Sequence, residues 1–69
     1  MKYRELRKKL NEYRIREEVQ RGKGSHRYFV RTYEFGKTIH YTIPYHGENE
    51  DVHPRYIKAM ERIFGITLV

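Results

Sequence analysis

The hydrophobic pattern of this chain changes period twice, and that alternation narrows the folds open to it. Tyr3, Leu6, Leu10 and Tyr13 recur at helical spacing among charged residues, so residues 2–13 read as an amphipathic helix. His26–Tyr33 and Lys37–Ile43 are instead rich in β-branched and aromatic residues and read as strands. Ile15–Gln20, where Ile15 and Val19 alternate with charges, reads as an edge strand. Helical spacing returns with Ile57, Met60, Ile63 and Phe64, between Pro54, suited to a first helical turn, and Gly65, suited to a stop. The expected fold is α+β in the order α-β-β-β-α, a three-stranded antiparallel sheet with two helices on one face. Residues 1–69 are expected to form a single domain, because a chain this short buries only about 60% of its unfolded surface and cannot enclose a deep cleft.

The turns set the faces. Gly22-Lys23-Gly24-Ser25 is a turn on composition, and Glu34-Phe35-Gly36-Lys37 fits a tight hairpin centred on Phe35-Gly36. Pairing Glu34 with Lys37 places His26 opposite Tyr45. Period-two alternation then turns Tyr28, Val30 and Thr32 toward the helices together with Ile39, Tyr41 and Ile43. It leaves Arg27, Phe29, Arg31 and Tyr33 on an open face beside Thr38, His40 and Thr42. That face has three readings: stacking of single-stranded bases, a partner interface, or a solvated surface. The aromatic and arginine content favours a partner, with Phe29, Arg31 and Tyr33 as its contacts.

Charge bears on the partner's chemistry. The chain carries 15 Lys and Arg against 9 Asp and Glu, and the excess is confined to its first half. Residues 1–37 hold 12 cations and 5 acids, a balance of +7, whereas residues 38–69 hold 3 and 4, a balance of −1. A basic half points to a polyanion such as nucleic acid, with a solvated basic surface as the plain alternative. With no cysteine, neither disulfides nor a thiolate zinc site can form. The four histidines show no His-x-x-x-His spacing, so no metal or other cofactor is expected. No apolar run suits a membrane span, and the opening Met1–Glu5 lacks a hydrophobic leader, so a soluble cytoplasmic protein is expected.

Gly22-Lys23-Gly24-Ser25-His26-Arg27-Tyr28-Phe29, following a basic amphipathic helix, resembles the HicA toxin family. So do the opening Met1-Lys2-Tyr3-Arg4-Glu5-Leu6 and the run Thr42-Ile43-Pro44-Tyr45-His46-Gly47 ahead of a helix ending in Phe64-Gly65-Ile66. The likeness spans nearly the whole chain in order. It implies a fold similar to the double-stranded RNA-binding domain and a ribosome-independent toxin that cleaves mRNA and is neutralised by a HicB-type antitoxin. It also implies that the histidine of the Gly-Ser-His turn, His26, is catalytic. Glu17 and Glu18 depart from the family's usual apolar first strand, as does Tyr45 from its usual small or basic residue.

The residues support such chemistry in their own right. RNA supplies its own nucleophile, the 2′-hydroxyl, so the protein need only remove a proton, align the attack and stabilise charge on phosphorus. An ordinary histidine, with a pKa of about 6.5, is largely neutral at pH 7 and can take that proton. Arg21, Lys23 and Arg27 are candidate phosphate ligands, with backbone donors of the turn at Gly24 and Ser25. The Ser25 hydroxyl would orient either the imidazole or the phosphate. His46 is either a loop histidine or a second contact, protonating the leaving 5′-oxygen or binding phosphate. By alternation His26 points toward the helix-covered face and so reads equally as a core-edge histidine; the resemblance favours catalysis. The alternative function is a non-catalytic module binding double-stranded RNA on the same fold.

Overall fold

A computed structural model describes residues 1–18 and 24–69. Helix α1 (Tyr3–Glu12) is followed by strands β1 (Ile15–Glu18), β2 (His26–Thr32) and β3 (Thr38–Pro44) and by helix α2 (Pro54–Phe64). The strands form one antiparallel sheet in the order β1-β2-β3. The α-β-β-β-α order is the one expected. Among the described residues no helix is long and apolar enough to cross a membrane.

Each helix follows its pattern. Tyr3, Leu6 and Leu10 of α1 are buried, and the chain leaves the helix through Arg14, whose φ of 61° turns it sharply into β1. Helix α2 opens on Pro54, with His53 as its cap: the Arg55 N–H donates to His53 Nδ1 at 3.1 Å. It closes at Gly65 in the left-handed region, with the Ile66 N–H donating to the Glu61 carbonyl. Ile57, Met60 and Phe64 are buried from α2, while Ile63 is only half-buried.

The hairpin differs from expectation by one residue. Tyr33, not Glu34, pairs with Lys37: its N–H donates to the Lys37 carbonyl at 2.8 Å, and the Gly36 N–H donates to the Tyr33 carbonyl at 2.9 Å. The loop is therefore Glu34-Phe35-Gly36, with Gly36 at φ 80°, a conformation glycine adopts freely. All of β2 shifts accordingly, so that His26 faces Pro44, Phe29 faces Tyr41 and Arg31 faces Ile39.

A one-residue slip reverses a strand's faces. Ile39, Tyr41 and Ile43 of β3 do face the helices, but beside them stand Arg27, Phe29 and Arg31, not Tyr28, Val30 and Thr32. The core joins Ile15, Phe29 and Ile43 of the sheet to the buried faces of both helices and to Val52, Ile66 and Leu68. The uncovered face carries His26, Tyr28, Val30 and Thr32 beside Thr38, His40, Thr42 and Pro44. Val30 remains buried there, flanked across the ladder by Arg16 and His40.

The open basic–aromatic face inferred from sequence is thus corrected. Phe29 has no exposed surface and offers nothing to a partner. Arg31 and Tyr33 are drawn to the end of α2, where Arg31 Nη1 donates to the Phe64 carbonyl at 3.0 Å and the Tyr33 hydroxyl lies 3.5 Å from the same oxygen. A carbonyl of the last helical turn lacks an intrahelical partner, and a cation there also complements the helix dipole.

Candidate functional site

His26 opens β2 directly after the Gly24-Ser25 turn, with Gly24 at φ 57°. Its side chain is exposed and lies on the uncovered sheet face, so the core-edge placement expected from alternation is not found. Ser25 Oγ lies 3.4 Å from His26 Nδ1, the ring's one hydrogen-bond contact among the described residues.

The turn is held from both sides. The Tyr45 N–H donates to the Ser25 carbonyl, extending the β2–β3 ladder past its last pair. Arg27 Nη1 donates to the carbonyls of Gly24 and His26, each at 3.1 Å. Because Arg27 alternates with His26, its guanidinium goes to the helix side, where it lies 3.9 Å from the centre of the Tyr45 ring and 3.7 Å from a Glu17 oxygen.

Glu17 explains why a carboxylate sits at an inward position of β1. It accepts from the hydroxyl of Tyr3 and lies 3.7 Å from Arg7. Arg7 makes a two-pronged pair with Glu48, which also accepts from the Tyr45 hydroxyl at 2.9 Å. Tyr3 meets Tyr45 edge-on at 4.7 Å. This network ties α1, β1, β2 and the loop after β3 into one polar cluster beneath the turn. Its chemistry moves the titrations in consistent directions. Burial, and then the Glu17 hydrogen bond, push the Tyr3 phenol far above its usual range. The Arg7 and Tyr45 hydrogen bonds hold the Glu48 carboxyl below its usual range, and the bond to Glu48 raises Tyr45.

The other candidates distribute unevenly. Gly24, Ser25 and His26 are contiguous and exposed. Arg27 is mostly covered and engaged with Glu17 and Tyr45, so its charge is not presented on the His26 face. Arg21 and Lys23 lie outside the described residues, as do Val19, Gln20 and Gly22. His46 lies just beyond the Tyr45–Ser25 bond and lines a cleft of about 250 Å³. That cleft lies between the loop after β3 and the first turn of α2, and Pro44, His53, Arg55 and Tyr56 share its lining. Among the described residues no three His, Asp or Glu side chains assemble as metal donors.

Sequence reasoning passed over Glu17 as a site residue and did not reach Tyr56 or Arg55. For Glu17 a signal existed: it alternates with the inward-facing Ile15, and a carboxylate there needs cations opposite it. Tyr56 and Arg55 gave no signal, since only the fold brings them to His46.

Compared with family models, curated proteins and solved structures, the chain has no match.

Proposed function

We propose that this chain is an endoribonuclease of the HicA toxin type that cleaves single-stranded mRNA in the cytoplasm without a metal ion, on a fold of the double-stranded RNA-binding kind. The observation that supports it is the placement of His26: an exposed imidazole at the end of a turn fixed by Arg27 and Tyr45, with a serine hydroxyl at its Nδ1. With its proton on Nδ1, directed at Ser25 Oγ, the ring keeps a lone pair on Nε2. Nε2 takes the 2′-hydroxyl proton, the 2′-oxygen attacks the adjacent phosphorus, and the 5′-oxygen leaves. His46 is the candidate to return a proton to that oxygen. The products are a 2′,3′-cyclic phosphate and a 5′-hydroxyl. A base of this kind contributes roughly 10²–10⁴-fold. DNA, lacking the 2′-hydroxyl, is spared. A HicB-type antitoxin would restrain the enzyme by covering His26 and competing with RNA.

The test incubates wild-type and His26→Ala protein with single-stranded RNA in EDTA and identifies the product ends. Cleavage to cyclic phosphates by the wild type alone is expected. Equal cleavage by both would remove His26 from the mechanism. RNA bound but left intact by the wild type would replace the nuclease with a non-catalytic RNA-binding module. In cells, expression should arrest growth, and His26→Ala should relieve the arrest.

A further inference from the structure

Directly across the ladder from His26 stands Pro44, which is also the β3 wall of the 250 Å³ cleft. Paired residues of an antiparallel ladder lie roughly 4.5–5.5 Å apart at Cα, so the backbone of His26 is one strand spacing from the backbone of this wall. Four rings line it: Tyr3, His46, His53 and Tyr56. His53 and Tyr56 meet edge to face, with centroids 6.4 Å apart. The guanidinium of Arg55, which also lines the cleft, lies 4.9 Å from the Tyr56 ring centre and donates to its hydroxyl. Two acidic residues, Glu50 and Asp51, also line it beside Val52, with Asp51 Oδ1 3.7 Å from the Met1 ammonium. Gly47 in this wall sits at φ 133°, a backbone conformation that other residues rarely adopt.

We infer that this cleft is a subsite for one unpaired nucleobase of an RNA strand, next to the phosphate attacked at His26. The inference rests on the proposed nuclease reading for its substrate, but not for its geometry. Rings alone would accept any flat apolar group. Carboxylates beside them repel a phosphate and accept hydrogen bonds from N–H donors on a base edge. Flat faces flanked by acceptors suit a base, and the guanidinium of the lining, Arg55, is engaged with the Tyr56 ring and hydroxyl. The volume falls just below the roughly 300–1,000 Å³ of pockets for drug-sized ligands, which fits a single base. A base within a duplex is stacked and paired and cannot enter. The cleft thus gives this chain a reason to act on single strands, whose bases can be splayed out and stacked on rings.

The experiment titrates the full-length ¹⁵N-labelled His26→Ala protein with AMP, GMP, CMP and UMP, and separately with ribose 5-phosphate. At least one nucleotide should shift the amides of His46, Val52, His53 and Tyr56, while ribose 5-phosphate leaves them in place. Tyr56→Ala should weaken that response by about fivefold or more, the loss expected for one base–ring stack. Tyr56→Leu, which keeps apolar bulk on α2, should weaken it comparably. Equal shifts from ribose 5-phosphate would make this a phosphate site, and no shift from any nucleotide would remove it; either result overturns the inference. A wild type that cleaves RNA without these shifts would retain the nuclease and lose the subsite. Shifts in a chain that does not cleave would do the reverse.

Discussion

The Arg27 guanidinium lies 3.9 Å from the centre of the Tyr45 ring, and these two residues hold the His26 turn from opposite sides. Tyr45 does so through its backbone N–H to Ser25, and Arg27 through its side chain to the carbonyls of Gly24 and His26. Arg27 therefore acts on the turn from beneath, which separates its effect from that of a phosphate ligand. Arg27→Gln should leave the salt dependence of RNA binding unchanged. Loss of a true phosphate contact on a single strand would reduce the log–log slope by about 0.7. Binding isotherms across a salt series decide between the two. Under the nuclease reading, the same variant should lower the rate of cleavage more than it changes RNA affinity.

Glu17 is the shared anchor of Tyr3, Arg7 and Arg27, with its side chain only 13% exposed. Glu17→Ala leaves the Tyr3 hydroxyl without its acceptor, while Arg7 keeps Glu48 and Arg27 keeps the turn carbonyls, and should destabilise the chain by about 1–3 kcal/mol. Glu17→Gln keeps an acceptor for the Tyr3 hydroxyl and should cost less. Urea unfolding midpoints at equal slope give both values.

Phe29 should behave as a core residue. Phe29→Ala is expected to cost about 3–5 kcal/mol and to broaden the tertiary spectrum of the whole chain. Phe35, 95% exposed at the hairpin tip, should tolerate Ser with almost no change in stability. Thermal melts of the two variants side by side make the comparison.

The Glu48 carboxyl titrates below its ordinary value in the folded chain, first because of its bond to Arg7 and then because of its bond to Tyr45. Its contribution to stability is therefore complete above the ordinary carboxylate range and is lost as the pH falls through the lowered folded value. Stability should decline below about pH 4. Glu48→Gln should remove part of that decline while lowering stability at neutral pH. Denaturation at a series of acidic pH values checks the sign.

Gly36 sits at φ 80° with open space where a Cβ would be. Gly36→Ala therefore meets backbone strain without a clash and should cost about 1–2 kcal/mol. Asn, which tolerates this region better, should cost less at the same position. Chemical denaturation of the two variants tests the loop assignment.

The elements were legible because periodicity reports them directly: Tyr3, Leu6 and Leu10 on α1, and Pro54 and Gly65 bounding α2, needed no tertiary information. The register was not. Phe35-Gly36 fits a two-residue turn, and Glu34-Phe35-Gly36 fits a three-residue loop closed by a left-handed glycine; local sequence does not separate them. Arg27 and Arg31 strengthened the wrong choice, since two arginines flanking Phe29 look like an open surface. Their charges are met by partners distant in sequence, Glu17 for one and the Phe64 carbonyl for the other. The same is true of the site. The Gly24-Ser25-His26 turn is contiguous and could be singled out by motif, whereas the cleft is assembled from Pro44, His46 and Tyr56 only by folding.

Arg27 and Arg31 lie four residues apart on the middle strand and reach in opposite directions, one to the polar cluster under α1 and the other to the end of α2. Strand β2 is thus the keel to which both helices are moored, and His26 rides on its opposite side. Loss of either arginine removes one of these ties to the strand that carries the imidazole and leaves the other in place.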